Sequence, residues 1–299
     1  MRASNMPNKT DGQIKRSWTY KLLQLSIFRL IISLLLVAGS AQGIQFLMNI
    51  LGEYLFSEKS LPSVWMPLTW TLSAILAYLA YIFYVRFIEK RNVTELSGSR
   101  TISELGLGVV VGALLFILVL AMLWIFGYYK FIAVNGLVFL IIPLFHYAYT
   151  AVYEELIFRG IFFRIIERKL GSWIAIIISG LLFGFAHNAT LYTNVSIALM
   201  GGVLFSTAYI YTRRLWLAIG IHFAWNFVQV GIFGLGLFEK DGKGVLNSEL
   251  IGNELVSGGQ YGIETSIVTF VLVMLIGLIF LFKTHRRGNF IKPFWGKDK

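Results

Sequence analysis

The chain contains no cysteine in its 299 residues, so disulfide frameworks, cysteine–zinc sites and thiol nucleophiles are all excluded. Charge is scarce as well. Asp, Glu, Lys and Arg make up 14% of the sequence, about half of the roughly 25% that keeps a soluble domain's surface wet. Acid is the scarcer sign, with 15 Asp and Glu against 26 Lys and Arg. Catalytic signatures are missing too. There is no Gly-x-Ser-x-Gly elbow, no paired aspartates and no His-Glu-x-x-His helix, which leaves serine, aspartic and two-histidine zinc mechanisms without support. What remains is apolar: 57% of the residues are hydrophobic and the mean hydropathy is +0.72. This is the composition of an all-α, polytopic membrane protein. The net charge of +11 does not point to nucleic acid, because no basic patch with interleaved aromatics lies outside the apolar runs.

About 20 apolar residues are needed to cross the hydrocarbon core as a helix. Eight stretches qualify, near 23–51, 64–88, 105–127, 132–158, 172–191, 193–212, 215–238 and 263–283. They define a transmembrane domain over 23–283, between a polar tail at 1–22 and a basic tail at 284–299. The first stretch is too long for a signal-peptide core and reads as a retained helix. With the N-terminus in the cytoplasm, 21 Lys and Arg fall on the inner side and four on the outer, while Arg29 lies within the first span. That asymmetry obeys the positive-inside rule and predicts two cytoplasmic termini in a plasma membrane, bacterial by the resemblance below. The longest outer loop, 239–262, reads as a plain polar connector.

Polar residues inside such spans are costly, about 2.5–3.5 kcal/mol for an Asp, Lys or Arg at a helix centre, and so mark function. Three clusters stand out. In the fourth span, Glu155 and Arg159 stand four apart with the acid first, the favourable order for a helical ion pair. Glu154 points about 100° away and lacks that partner. In the fifth, Gly180, Gly184 and His187 share a face, and the two glycines form a close-packing motif that turns the imidazole into the bundle. In the seventh, His222 and Asn226 are four apart and reach the same side. At ~1.5 Å per residue, Glu154 lies ~12 Å, His187 ~20 Å, His222 ~10 Å and Asn226 ~16 Å from the inner boundary. They can meet if the helices tilt and the fourth runs past Arg159 toward Arg168. Each cluster also has a bland reading, as a headgroup-facing acid pair or an interhelical hydrogen-bond clamp. His146, two turns before Glu154, reads as structural.

A carboxylate, two imidazoles and an amide in a low-dielectric cavity suit hydrolysis by activated water. Glu154 can serve as general base with His187 holding the water, and His222 and Asn226 can donate to an oxyanion. Glu154, His187 and His222 could equally ligate a divalent metal such as zinc, and a metal-free route is equally open.

The ordered set Glu154-Glu155…Arg159, Phe183…His187 and His222…Asn226, on three separate helices, resembles the CAAX-protease and bacteriocin-processing (CPBP, or Abi) family of intramembrane proteases. The likeness covers about residues 130–235. It implies an eight-helix endopeptidase acting on membrane-associated proteins or on lipidated or peptide substrates. It also implies that Glu154 and His187 activate water, that His222 and Asn226 stabilise the oxyanion, and that Glu155, Arg159 and Phe183 give structural support. Two alternatives come from other classes: a non-catalytic bacteriocin-immunity or binding protein, and a proton-coupled transporter. Against the transporter, the sequence has no duplicated halves with matching broken helices.

Overall fold

The computed structural model describes residues 25–56, 61–237 and 242–296. The tail call at 1–22 lies outside them. Within them the chain is an all-helical membrane bundle with one small β-hairpin. Helix α1 spans Ser26–Leu55, and α2 spans Trp65–Phe83 with a π-helical end at Tyr84–Ile88. Helix α3 spans Thr101–Ile125 and leads into strand β1, Tyr129–Val134. Helix α4 starts at Ile141–Glu155, widens into a π-helix over Leu156–Phe163 and runs on to residue 170. Gly171 breaks it there with φ 82° and ψ 168°, values that a residue with a Cβ adopts only under strain. Helix α5 then occupies 172–185. Helix α6 joins Leu191–Leu199 to Ser206–Thr212 through a π-helical Met200–Phe205. Helix α7 is Trp216–Asn226 with a π-helical Phe227–Ile232, and α8 is Ile267–Arg286.

Among the described residues, six helical stretches are long and apolar enough to cross a membrane, including Leu137–Phe185, which runs for 49 residues. The break at Gly171 divides that stretch in two, and the shorter apolar helix Trp216–Ile232 completes the expected eight. Burial places them. Two thirds of the apolar window of α6 is buried, against 17% for α1, so α6 is central and α1 peripheral.

Two glycine seams bring backbones together. A Cβ on Gly108 of α3 would stand 2.9 Å from the Cα of Gly220 on α7, and one on Gly112 would meet Ala224 Cβ at 3.0 Å. A Cβ on Gly180 would stand 2.7 Å from Gly202 Cα, and one on Gly184 would stand 2.6 Å from Ala198 Cβ. The expected Gly180-xxx-Gly184 contact is therefore made, and α6 is its partner.

Two local expectations give way. Residues 132–134, read as the start of the fourth span, belong to β1, and residues 246–250, read as plain connector, form strand β2 (Leu246–Leu250) antiparallel to it. Tyr129 pairs with Leu250 and Val134 with Leu246, with an irregularity between Phe131 and Ala133. The alternation that would signal either strand is weak, because β1 is exposed along most of its length. At the opposite end, the segment after α8 folds back on the α4–α5 corner. Ser172 N donates to Ile291 O at 3.0 Å, and Phe290 stacks on Trp173 at 4.9 Å.

A buried carboxylate–imidazole centre

Three helices, α4, α5 and α7, deliver the polar residues to one place. Helix α4 continues past Arg159, as their meeting requires. Helix α5 unwinds after Phe185, which leaves His187 at its frayed end. Non-helical backbone at membrane depth must have its polar groups satisfied. Here Asn194 does so, accepting from Ala189 N at 3.2 Å and donating to Ala189 O at 3.0 Å, while Thr190 caps α6. The side chains thus meet despite the ~10 Å spread of expected depths.

Glu154 Oε2 lies 3.9 Å from His187 Nε2 and 3.7 Å from His222 Nε2. The other nitrogen of each ring is held. His187 Nδ1 lies 2.7 Å from Phe183 O, and His222 Nδ1 lies 3.0 Å from Glu155 Oε1. Both acceptors require a hydrogen on Nδ1. With neutral rings, two Nε2 lone pairs and a carboxylate oxygen would all face one point, and Glu154 Oε2 has no hydrogen-bond donor. Three electron pairs converging in a low dielectric call for a proton, or for a molecule that donates protons, between them. Asn226, one helical turn beyond His222, lines the adjoining cavity of about 20 Å³ together with His187, His222 and Glu264. That is room for about one water molecule.

The supporting residues form a second layer. Arg159 Nη1 donates to Glu155 Oε1 at 2.8 Å and Nη2 to Gly201 O at 2.8 Å, with both side chains of the ion pair fully buried. The headgroup-facing reading of this acid pair is therefore wrong. The guanidinium lies 4.4 Å from the Phe183 ring centroid and 5.1 Å from that of Phe205, and Phe205 stacks on His222 at 4.9 Å. Gly201 sits at the π-helical widening of α6. Such a widening frees carbonyls from the ladder, and π-bulges often mark functional sites for this reason. Exposure is graded across the centre. The Glu154 side chain is 19% exposed and that of His187 13%, while Glu155 is sealed. His146 stacks on Trp70 at 4.6 Å and stands apart from this cluster.

By donor type, Glu154, His187 and His222 suit zinc, and a carboxylate behind one imidazole is a common orienting device for that ion. By spacing they do not. Tetrahedral ligands at 2.0–2.1 Å from zinc stand about 3.4 Å apart, closer than the separations here. Among the described residues, no group of three or more His, Asp or Glu has a metal-holding arrangement.

Sequence reasoning missed two residues of the centre. Glu264 is 2% exposed, accepts from Gln229 Nε2 at 2.7 Å through Oε1, and leaves Oε2 without a partner. Burial raises its carboxyl above the ordinary range, and the Gln229 hydrogen bond opposes that only in part. The one available signal was spacing: Gln229 continues the His222, Asn226 face at i+7.

Fold and centre together define a helical membrane protein with a buried carboxylate–imidazole site. A family model described as "Type II CAAX prenyl endopeptidase Rce1-like" matches residues 136–228, which hold Glu154, His187, His222 and Asn226. Over that segment the chain resembles the CAAX-protease and bacteriocin-processing family, the likeness its motifs suggested. No curated protein and no solved structure matches it. The match supports, at family level, a CAAX-type intramembrane endopeptidase, and the long apolar helices mark an integral membrane protein.

Proposed function

We propose that the protein hydrolyses peptide bonds of membrane-associated proteins or peptides with a water molecule activated by Glu154 and His187. The observation that carries this reading is the undonated Glu154 Oε2, facing both imidazole Nε2 atoms at 3.7 and 3.9 Å. A water held there can lose a proton to Glu154 while its oxygen attacks the carbonyl carbon of the substrate.

Charge balance sets the role of His222. Glu154, Glu155 and Arg159 together carry one excess negative charge, and a buried set favours neutrality. One further proton on His222, between the two carboxylates, supplies it. Nδ1–H then points at Glu155, and Nε2–H is free to donate to the oxyanion. Asn226 Nδ2 adds a second donor from one turn along α7. Collapse of the tetrahedral intermediate breaks the bond to nitrogen and yields an acid and an amine. Glu155 and Arg159 act as positioning residues, the first by orienting His222. No step needs a metal ion, in keeping with the wide spacing of Glu154, His187 and His222.

We further propose that the basic end of the bundle faces the cytoplasm of a bacterial cell, with both termini on that side. A reporter fused at Gly242 should then report an external location and a C-terminal fusion an internal one.

The test of function is to compare membrane-associated peptides from cells expressing the wild-type protein or the Glu154→Gln variant at equal levels. Cleavage products present only with the wild type are expected. Identical peptide sets from the two would overturn the hydrolytic reading.

A further inference from the structure

Glu264 lies outside the family-matched segment, yet it lines the same water-sized cavity as His187, His222 and Asn226. Its position is fixed from several directions. Gln229 Nε2 is shared between Glu264 Oε1 and Gly236 O, each at 2.7 Å, and the Gly236 carbonyl requires the amide NH₂ to be the end that faces them. Around it, Thr269 Oγ1 donates to Ile263 O at 2.6 Å, Tyr192 OH donates to Thr265 O at 2.8 Å, and Thr265 Oγ1 donates to Gly262 O at 2.8 Å. The turn is therefore rigid. One carboxyl oxygen is pinned as an acceptor, and the other, Oε2, is buried without a partner beside the proposed reaction site. An amide that donates only to Oε1 leaves Oε2 as the oxygen that holds a proton.

Along α7 the order is His222, Asn226, Gln229, so Glu264 lies beyond the oxyanion donors, on the side away from Glu155 and Arg159. Hydrolysis of an amide needs two proton transfers: one from water, and one to the departing nitrogen, which is too basic to leave as an anion. Glu154 accounts for the first.

We propose that Glu264 is a further catalytic residue, the general acid that protonates the leaving nitrogen from the wall of the cavity opposite the Glu155–Arg159 pair. The inference rests on the hydrolytic reading above. As the carbon–nitrogen bond breaks, its electron pair takes the proton of Glu264 Oε2, giving a neutral amine and a Glu264 carboxylate. Glu154 is protonated by the same turnover. The acid product gives up a proton as it leaves, Glu154 returns its own to solvent, and Glu264 is reprotonated, so the net reaction is peptide plus water to acid plus amine.

An alkoxide leaves far more readily than an amide nitrogen, and this gives the test. Take a peptide cut in the proteomic comparison, and the same peptide with its scissile amide replaced by an ester. Purified wild-type protein and the Glu264→Gln and Glu154→Gln variants are assayed on both, with melting temperatures measured in parallel. Glu264→Gln is expected to lower kcat on the amide about 100-fold with KM nearly unchanged, and to lower ester turnover by only a few fold. Equal loss on amide and ester, or no loss on either, would overturn the assignment. Should Glu264→Gln prove unstable, Gln229→Glu, which exchanges the amide for a second acid, is expected to show the same amide-selective loss, and equal amide and ester losses there overturn it equally. Ester and amide hydrolysis that both survive Glu154→Gln would instead sink the hydrolytic reading itself.

Discussion

Two clusters of buried charge sit in this bundle, and they are built on opposite rules. At the basic end, Glu95 is saturated. Oε1 accepts from Arg91 Nη2 at 2.6 Å, from Arg164 Nη1 at 2.9 Å and from the Tyr81 hydroxyl, while Oε2 accepts from Arg91 Nη1 at 2.8 Å. Glu89 joins the same cluster through Arg91 at 2.5 Å and Arg164 at 2.8 Å. In the centre, Glu154 Oε2 has no donor. The first cluster ties α2 and the α2–α3 connection to α4; both oxygens of Glu95 are engaged, and Glu89 Oε1, which has no hydrogen bond, still faces Arg168 Nη1 at 3.7 Å. The second is under-satisfied, which costs stability and leaves a basic oxygen available for chemistry. The arginines of the saturated cluster also qualify the topology argument, since part of the basic excess at that end is committed to ion pairs within the protein.

The largest expected effect is on Glu154. Glu154→Gln should lower turnover by about 10²–10⁴-fold while the melting temperature holds or rises, because an amide keeps the shape but cannot take a proton. Glu155→Gln should damage both properties. It strands Arg159, at a cost of about 3–5 kcal/mol, and removes the acceptor that orients His222, so activity per folded molecule falls as well. Adding Arg159→Gln should restore part of the melting temperature but not the turnover. Glu95→Gln tests the other side of the comparison. It should cost a similar amount of stability and leave turnover per folded molecule unchanged, and a loss of specific activity there would erase the distinction between the two clusters. Arg214→Ala, which leaves the mostly buried Glu104 without its partner, should cost about 1–3 kcal/mol in denaturation experiments. Smallest of all, extended dialysis against a chelator should leave turnover within about twofold, since a bound ion would be lost by that treatment.

The helices and the residues on α4, α5 and the first turns of α7 were legible in the sequence for a physical reason. Hydropathy reports the span, and i,i+4 spacing reports the face, so Glu155–Arg159 and His222–Asn226 follow from local geometry alone. The Gly180–Gly184 seam was legible in the same way. What the sequence hid depends on irregular or distant backbone. The Glu155–His222 bond requires the relative rotation of α4 and α7, which no local pattern encodes. For that reason Glu155 read as purely structural, whereas it also orients an imidazole. Glu264 falls at the very start of the last expected span, 263–283, with no i,i+4 partner to mark it, and its burial follows from the path of residues 258–266. The strands escaped because both are short: β1 is exposed along most of its length, and β2, whose exposure alternates, carries three polar residues between its two leucines.

That hairpin carries a consequence for assembly. β1 finds its partner more than a hundred residues later, after α4 through α7 have been made. Contacts so far apart in sequence close late, because the intervening chain must first be laid down and ordered. Glu154, His187 and His222 all precede β2, so these three side chains can gather before the clasp exists. Glu264 follows β2, and the turn that presents it is tied down only once α8 begins. During biosynthesis the carboxylate–imidazole cluster can therefore assemble before Glu264 reaches the cavity that it lines.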